Sequence, residues 1–186
     1  MDIGEQKRLL RARMRATLQA LPEEYIRAAG KIITERVLSL PRVADASSVF
    51  VYVSRPKEPD TLAQIRWALS RGKRVYVPRC LGEGHMAAVR IMGLDDLKPG
   101  YMGILEPELS AEQAAPDAPD VIVVPCLSAD RHGGRLGWGG GYYDRFLKRK
   151  GHALTVCPCF ERMLLEDIPK EPFDVDVDLV ISERPN

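Results

Sequence analysis

The chain has 186 residues, 45% hydrophobic and 28% charged, with 27 Lys and Arg against 26 Asp and Glu for a formal charge of +1. That is globular composition with enough chain for one substantial core, which argues against a disordered segment and against a polybasic binder of nucleic acid or anionic membrane. No apolar run approaches the ~18 residues of a bilayer span, and the opening MDIGEQKRLLRARMR lacks a secretory h-region, so one cytoplasmic domain over residues 1–186 is expected.

The first predicted element is a helix. Leu10, Met14, Leu18 and Leu21 recur at helical spacing and make one apolar stripe. Lys7, Arg11 and Arg15 make a second stripe, whose mutual repulsion costs a little unless something anionic meets it. Pro22 ends this helix, and Glu23 to Leu38 reads as the next. Ser48 to Val53 (SVFVYV) is a β-branched and aromatic run, the pattern of a buried strand. A loop through Pro59-Asp60-Thr61 leads into a helix over Leu62 to Ser70. Arg74 to Val77 and Met86 to Met92 are the next strands, Pro99-Gly100 a turn, and residues 108–120 a surface loop. Val121 to Val124 is a central strand, a helix runs from Gly141 to Lys150, and Ala153 to Val156 and Asp178 to Ser182 are the last strands, with a short helix between them. Continuous apolar strands alternating with helices predict an α/β fold with a mostly parallel sheet and helices on both faces. In such sheets ligands gather at the carboxyl ends of strands, which directs attention to the segment after Val124.

That segment holds six of the chain's 15 glycines between Gly133 and Gly141, in Gly-Gly-Arg-Leu-Gly-Trp-Gly-Gly-Gly-Tyr-Tyr-Asp144. A glycine-rich loop between strand and helix can turn successive N–H groups toward phosphate oxygens, and Arg135 can add a charge-assisted contact. It is neither a Walker A loop nor a dinucleotide fingerprint. Asp144 suits either Mg²⁺ beside phosphate or the positive end of a helix. Asp174, Asp176 and Asp178 read as a solvated edge or as the source of a second metal carboxylate, and Glu58 as a capping group or a ligand contact. The four cysteines, Cys80, Cys126, Cys157 and Cys159, follow no disulfide or zinc spacing, and His85, His132 and His152 complete no metal pattern.

The run Val121-Ile-Val-Val-Pro125 followed by the block Gly133 to Leu147 resembles the signature of the 5-formyltetrahydrofolate cyclo-ligase family, also called methenyltetrahydrofolate synthetases. Lys7-Arg8-Leu9-Leu10-Arg11, Glu58-Pro59-Asp60-Thr61, Gly103-Ile104-Leu105-Glu106-Pro107 and the closing segment Asp174 to Glu183 are similar to further family motifs, in the family's order. The resemblance implies a Rossmann-like three-layer sandwich and conversion of 5-formyltetrahydrofolate to 5,10-methenyltetrahydrofolate with ATP and Mg²⁺. It places ATP on Lys7, Arg8, Leu9, Leu10 and Arg11, and on Arg135, Leu136, Gly137, Trp138, Gly139, Gly140, Gly141, Tyr142 and Tyr143. It places the folate on Val53, Glu58 and the stretch Trp138 to Tyr142, and Mg²⁺ on Asp144 and Asp178, with Arg135 and Asp144 as catalytic groups. Ala129, Met163 and Phe173 depart from residues common in the family. The expected partners are these small molecules, with no nucleic acid, no membrane and a monomeric chain. Two other readings of the same residues are an ATP-dependent enzyme acting on a different formamide or amide, and a non-catalytic folate- or nucleotide-binding protein.

Overall fold

The computed structural model describes residues 2–100 and 103–185. Helix α1 (Ile3–Ala20) starts at Asp2, whose carboxylate accepts the Glu5 N–H, and it buries Met14 and Leu18. Helix α2 (Glu23–Leu38) follows Pro22 and buries Ile33 and Val37. A short helix, α3 (Pro41–Asp45), begins on Pro41, which suits a first helical turn because proline lacks the N–H that would go unpaired there. The pattern change after Pro41 hid this helix from the sequence reading.

Strand β1 (Ser48–Val51) is buried at every position, as the continuous apolar run requires. Helix α4 (Leu62–Ser70) has the expected bounds. Strand β2 runs from Arg74 to Gly82, through Pro78 rather than stopping before it. β2 pairs with β1 only through Tyr76, so Pro78 lies where the strand has one partner, β3 (His85–Ile91), and no ladder hydrogen bond is needed on its other side. β4 (Lys98–Pro99) and β5 (Leu105–Glu106) flank the expected turn, and β6 (Gln113–Ala114) turns part of the expected surface loop into an edge strand on β3. β7 (Val121–Val123), β10 (Leu154–Pro158) and β12 (Leu179–Ile181) complete the sheet. β8 (Ser128–Asp130), β9 (Arg135–Leu136) and β11 (Leu164–Leu165) form a separate small sheet in the order β11-β8-β9.

The seven-stranded sheet has the order β12-β10-β7-β1-β2-β3-β6, parallel from β12 to β2 and antiparallel beyond. From β1 the chain crosses through α4 toward β2. From the neighbouring β7 it crosses through α5 (Tyr142–Leu147) in the opposite direction, toward β10. Right-handed crossovers in opposite directions put their helices on opposite faces. α4 covers β1 and β2, while α5 meets the other face, where the Phe146 ring centroid lies 4.7 Å from that of Phe50. Phe50 is fully buried, and truncating it to Ala would cost ~3–5 kcal/mol. The reversal of direction between β1 and β7 opens a crevice at their carboxyl ends, the usual ligand position in such sheets. The loops after these two strands, residues 52–61 and 124–141, therefore face each other.

Candidate active site

The glycine-rich loop is anchored from below by Asp130. This fully buried carboxylate accepts the N–H groups of His132 (2.9 Å), Gly134 (2.8 Å) and Ile168 (3.0 Å), tying β8, the loop and the segment after β11 together. A Cβ on Gly134 would overlap that carboxylate, so glycine is required there for close approach. At Gly141, which precedes α5, φ is +68°, a left-handed conformation that glycine takes without strain. Arg145 then donates to the Gly140 carbonyl (3.1 Å) and reaches the β2–β3 turn at Gly84 (3.5 Å).

The cationic stripe of α1 meets the glycine-rich loop and its acidic neighbours. Arg11 Nε donates to the Gly137 carbonyl (3.0 Å) and Arg15 to the Trp138 carbonyl (3.0 Å). Lys7 is 3% exposed and pairs with Glu171 (3.1 Å) and with Asp174. Loop carbonyls and two carboxylates thus offset the repulsion that the spacing implied. The neighbours named with this stripe separate from it by helix geometry: Arg8 is exposed and pairs with Glu5 (2.8 Å), Leu9 is exposed, and Leu10 packs on the core. Leu136 is likewise a core residue, completely buried in β9.

Arg135 lies buried, donating through Nη2 to Asp144 Oδ1 at 2.6 Å. The same oxygen accepts the Val175 N–H (3.3 Å), which brings the segment holding Asp174 beside the first turn of α5. Across from them, the loop after β1 is braced by Thr61, whose hydroxyl donates to the Tyr52 carbonyl (2.6 Å) and accepts the Ser54 N–H (3.0 Å). Glu58 accepts the Arg55 N–H (2.8 Å) and the Arg55 guanidinium (3.4 Å), which itself lies 4.2 Å from the Trp138 ring centroid. The two loops therefore meet through a cation–π contact between Arg55 and Trp138. Burial pushes the Glu58 carboxyl above the usual carboxylate range, and Arg55 only partly counters this. Val53 is buried beneath the same loop.

Three buried polar atoms of the loop region have no hydrogen-bond partner in the protein: Arg135 Nε, Trp138 Nε1 and the Tyr143 hydroxyl. The Trp138 N–H lies close enough to Glu58 to draw its pKa down slightly, but outside hydrogen-bond geometry. Unpaired buried donors are rare in folded proteins and cost ~1–3 kcal/mol each, so their convergence marks a surface prepared for a ligand. A narrow crevice opens beside them, lined by Leu18, Glu58, Pro59, Cys126, Phe160 and Met163. Its walls are apolar apart from Lys57 and the Glu58 carboxylate. A larger cavity of about 650 Å³ lies on the far edge of the sheet around Arg90, Met92 and Glu112, away from these groups.

Asp178 is placed elsewhere. It sits at the amino ends of β10 and β12, where its Oδ2 accepts the Thr155 N–H (2.8 Å), the Thr155 hydroxyl (2.6 Å) and Lys150 (2.9 Å). Against the upward push of burial, these bonds hold its carboxyl below the usual range. Asp174, which sequence reasoning left in an undivided acidic row, is the member of that row that pairs with Lys7, one residue before the Val175 N–H that Asp144 accepts. Alternation along an extended segment gave no signal to choose among the three. Among the described residues no group of three or more His, Cys, Asp or Glu converges as a metal cage. Mg²⁺ needs none, since it takes one or two carboxylates with phosphate oxygens and water. Asp144 fits that use and Asp178 does not. Of the departures from family residues, Met163 lines the crevice, Ala129 is buried in β8, and Phe173 stands 52% exposed beside Lys7. Cys126 and Cys159 lie at the crevice floor and Cys80 beside Glu106, all four cysteines being free thiols.

A doubly wound α/β sheet with a braced glycine-rich loop and unpaired donors at its switch point is the architecture of a small-molecule site. The model of the 5-formyltetrahydrofolate cyclo-ligase family matches residues 3–183, and the chain belongs to that family. It is 30% identical over 174 residues to the 5-formyltetrahydrofolate cyclo-ligase of Escherichia coli K12, covering 91% of this chain and 96% of that protein. The solved structure of Aquifex aeolicus 5,10-methenyltetrahydrofolate synthetase superposes with a TM-score of 0.85 at 30% identity, over 96% of this chain and 90% of that one. A Mycoplasma pneumoniae 5,10-methenyltetrahydrofolate synthetase shares the fold, with a TM-score of 0.78 at 17% identity over 96% and 99% of the two chains. The chain is thus an enzyme of the cyclo-ligase class with the expected mostly parallel α/β architecture. No helix among the described residues is long and apolar enough to cross a membrane.

Proposed function

We propose that the protein converts 5-formyltetrahydrofolate to 5,10-methenyltetrahydrofolate, consuming ATP in the presence of Mg²⁺ and releasing ADP and phosphate. The observation that carries this reading is the set of unpaired buried donors, Arg135 Nε, Trp138 Nε1 and Tyr143 OH, gathered between the Glu58 loop and the glycine-rich loop. A formamide oxygen is a poor leaving group, and transfer of the γ-phosphoryl group to it makes phosphate the leaving group. N10 then attacks the formyl carbon and closes the ring. No covalent protein nucleophile is required, so positioning and charge neutralisation carry the catalysis.

Arg135, held by Asp144, faces the phosphates with the backbone N–H groups of Gly137 to Tyr143, while Arg11 and Arg15 fix that backbone through its carbonyls. Glu58 accepts N–H donors of the pterin at the crevice, with Val53 buried beneath the same loop and Trp138 to Tyr142 on the facing glycine-rich loop. Asp144 would hold Mg²⁺, with Asp174 rather than Asp178 as the nearby second carboxylate, and the ion would supply positive charge to offset that of the phosphates. We further propose that residues 1–186 act as one cytoplasmic, monomeric unit with small-molecule partners only.

The test is an absorbance assay on the purified protein with 5-formyltetrahydrofolate, following the near-ultraviolet band of the methenyl product. A rise that requires both ATP and Mg²⁺ is expected. Absence of a rise, with ATP still bound, would overturn the folate assignment in favour of another formamide.

A further inference from the structure

The Tyr143 hydroxyl is completely buried and has no partner in the protein, yet the ring that carries it is well seated, with its centroid 6.2 Å from that of Phe50 in a stacked arrangement. Phenylalanine would keep the stacking without the cost of an unpaired donor, ~1–3 kcal/mol. The hydroxyl is therefore explained only by a partner absent from the chain itself. Its place in the fold says where that partner lies: Tyr143 sits in the first turn of α5 directly after the glycine-rich loop, next to the Asp144 that pairs with Arg135, and its ring stacks on Phe50 of β1, the strand that leads into the Glu58 loop. It stands at the seam between the group proposed to hold the pterin and the group proposed to hold the phosphates. The atom that belongs to both substrates during the reaction is the formyl oxygen.

We propose that the Tyr143 hydroxyl donates a hydrogen bond to the formyl oxygen and holds it in line for phosphoryl transfer. This inference rests on the proposed function and assigns to Tyr143 a contact with the reacting atom rather than with ATP alone. A carbonyl oxygen has two in-plane lone pairs. One accepts the phenol O–H while the other forms the new bond to the γ-phosphorus, as the bond from that phosphorus to the ADP oxygen breaks and ADP leaves with the electron pair. In the second half the N10 lone pair attacks the formyl carbon, N10 releases its proton to solvent, and the C–O bond breaks with its pair passing to phosphate. Negative charge grows on the same oxygen in that step, where a preplaced donor stabilises it. Neither step calls on Tyr143 to give up its own proton.

The experiment compares wild type with Tyr143→Phe for turnover, KM of each substrate and thermal unfolding. The expected result is a ~10²-fold fall in kcat, KM for ATP within about two-fold, and a melting temperature equal to or above that of wild type. Wild-type kcat in the variant would remove the inference. So would a loss of activity accompanied by a lower melting temperature, which would make the hydroxyl structural. An inactive wild type would take down the proposed reaction and this inference together, whereas an active wild type with an equally active variant removes the inference alone.

Discussion

At the amino ends of the central strands, Asp120 collects the Ser47 N–H (2.9 Å), the Ser48 N–H (2.8 Å) and the Ser48 hydroxyl (2.9 Å), and Asp178 collects three donors in the same way. Both carboxyls are held below the usual range by these bonds, in spite of burial. At the carboxyl ends of β1 and β7, Glu58 is pushed upward by burial, and three buried polar atoms go unpaired. One edge satisfies its charges locally and stiffens the sheet. The other leaves hydrogen-bonding capacity unspent, which destabilises the free protein and favours a ligand. Exposure alone does not distinguish the two edges; the distinction lies in whether each polar atom has a partner within the chain.

Substitutions at the two edges should therefore separate activity from stability. The largest effect is expected at Arg135: Arg135→Ala should lower turnover ~10³-fold in the steady-state assay. A preserved rate would show that the buried pair with Asp144 serves the fold. Next, Asp144→Ala should raise the Mg²⁺ concentration needed for half-maximal rate about ten-fold, the effect of losing ~1.4 kcal/mol of interaction. Asp178→Ala should leave that requirement unchanged, and a shared shift would return Asp178 to the metal site.

Glu58→Gln should weaken folate binding by roughly ten-fold, the equivalent of ~1.4 kcal/mol, while slightly stabilising the free protein at neutral pH. The sign follows from a folded-state pKa raised above the unfolded value: the folded form binds the extra proton, so stability falls as pH rises from the unfolded pKa through the folded one. Calorimetric titration and a melting curve read the two effects, and a Gln variant that melts lower would contradict the assignment. The smallest effect on activity belongs to the amino edge. Asp120→Ala strips partners from buried Ser48 and should cost about 1–2 kcal/mol, or several degrees of melting temperature, without changing turnover. Asp120 and Asp178 have folded-state pKa values below their unfolded ones. Their contribution is complete above the unfolded value, ~3.9, and should be lost as pH falls through the folded values, a loss the Asp120→Ala protein should show in reduced measure.

Long periodic segments were legible in the sequence because their pattern is set by the face they bury. α1, α2, α4 and the central strands β1 and β7 all lie where their apolar spacing places them. The short strands β8, β9 and β11 were not, since two or three residues carry no period, and they form because β8 pairs with β9 across a short turn and with β11 far along the chain. Pro78 misled for a similar reason: whether a proline ends a strand depends on which side of it has a neighbour.

The same division runs through the site. Composition and local chemistry alone marked the glycine-rich loop and Arg135, because six glycines in nine positions beside an arginine demand a reason wherever the chain goes, while Asp144 and Glu58 stayed open between structural and ligand roles until the family resemblance assigned them. Only the tertiary structure decided that Lys7, Arg11 and Arg15 grip that loop and its acidic neighbours while Arg8 and Leu9 turn away, a consequence of helix rotation against a fixed surface. It also decided that Asp174 pairs with Lys7 beside the Val175–Asp144 contact while Asp178 caps the opposite edge. Three aspartates at alternate positions look alike along the chain, and what separates them is where the approach to β12 carries each one: Asp174 beside Lys7 and Asp144, Asp178 onto the Thr155 and Lys150 donors at the strand's own start.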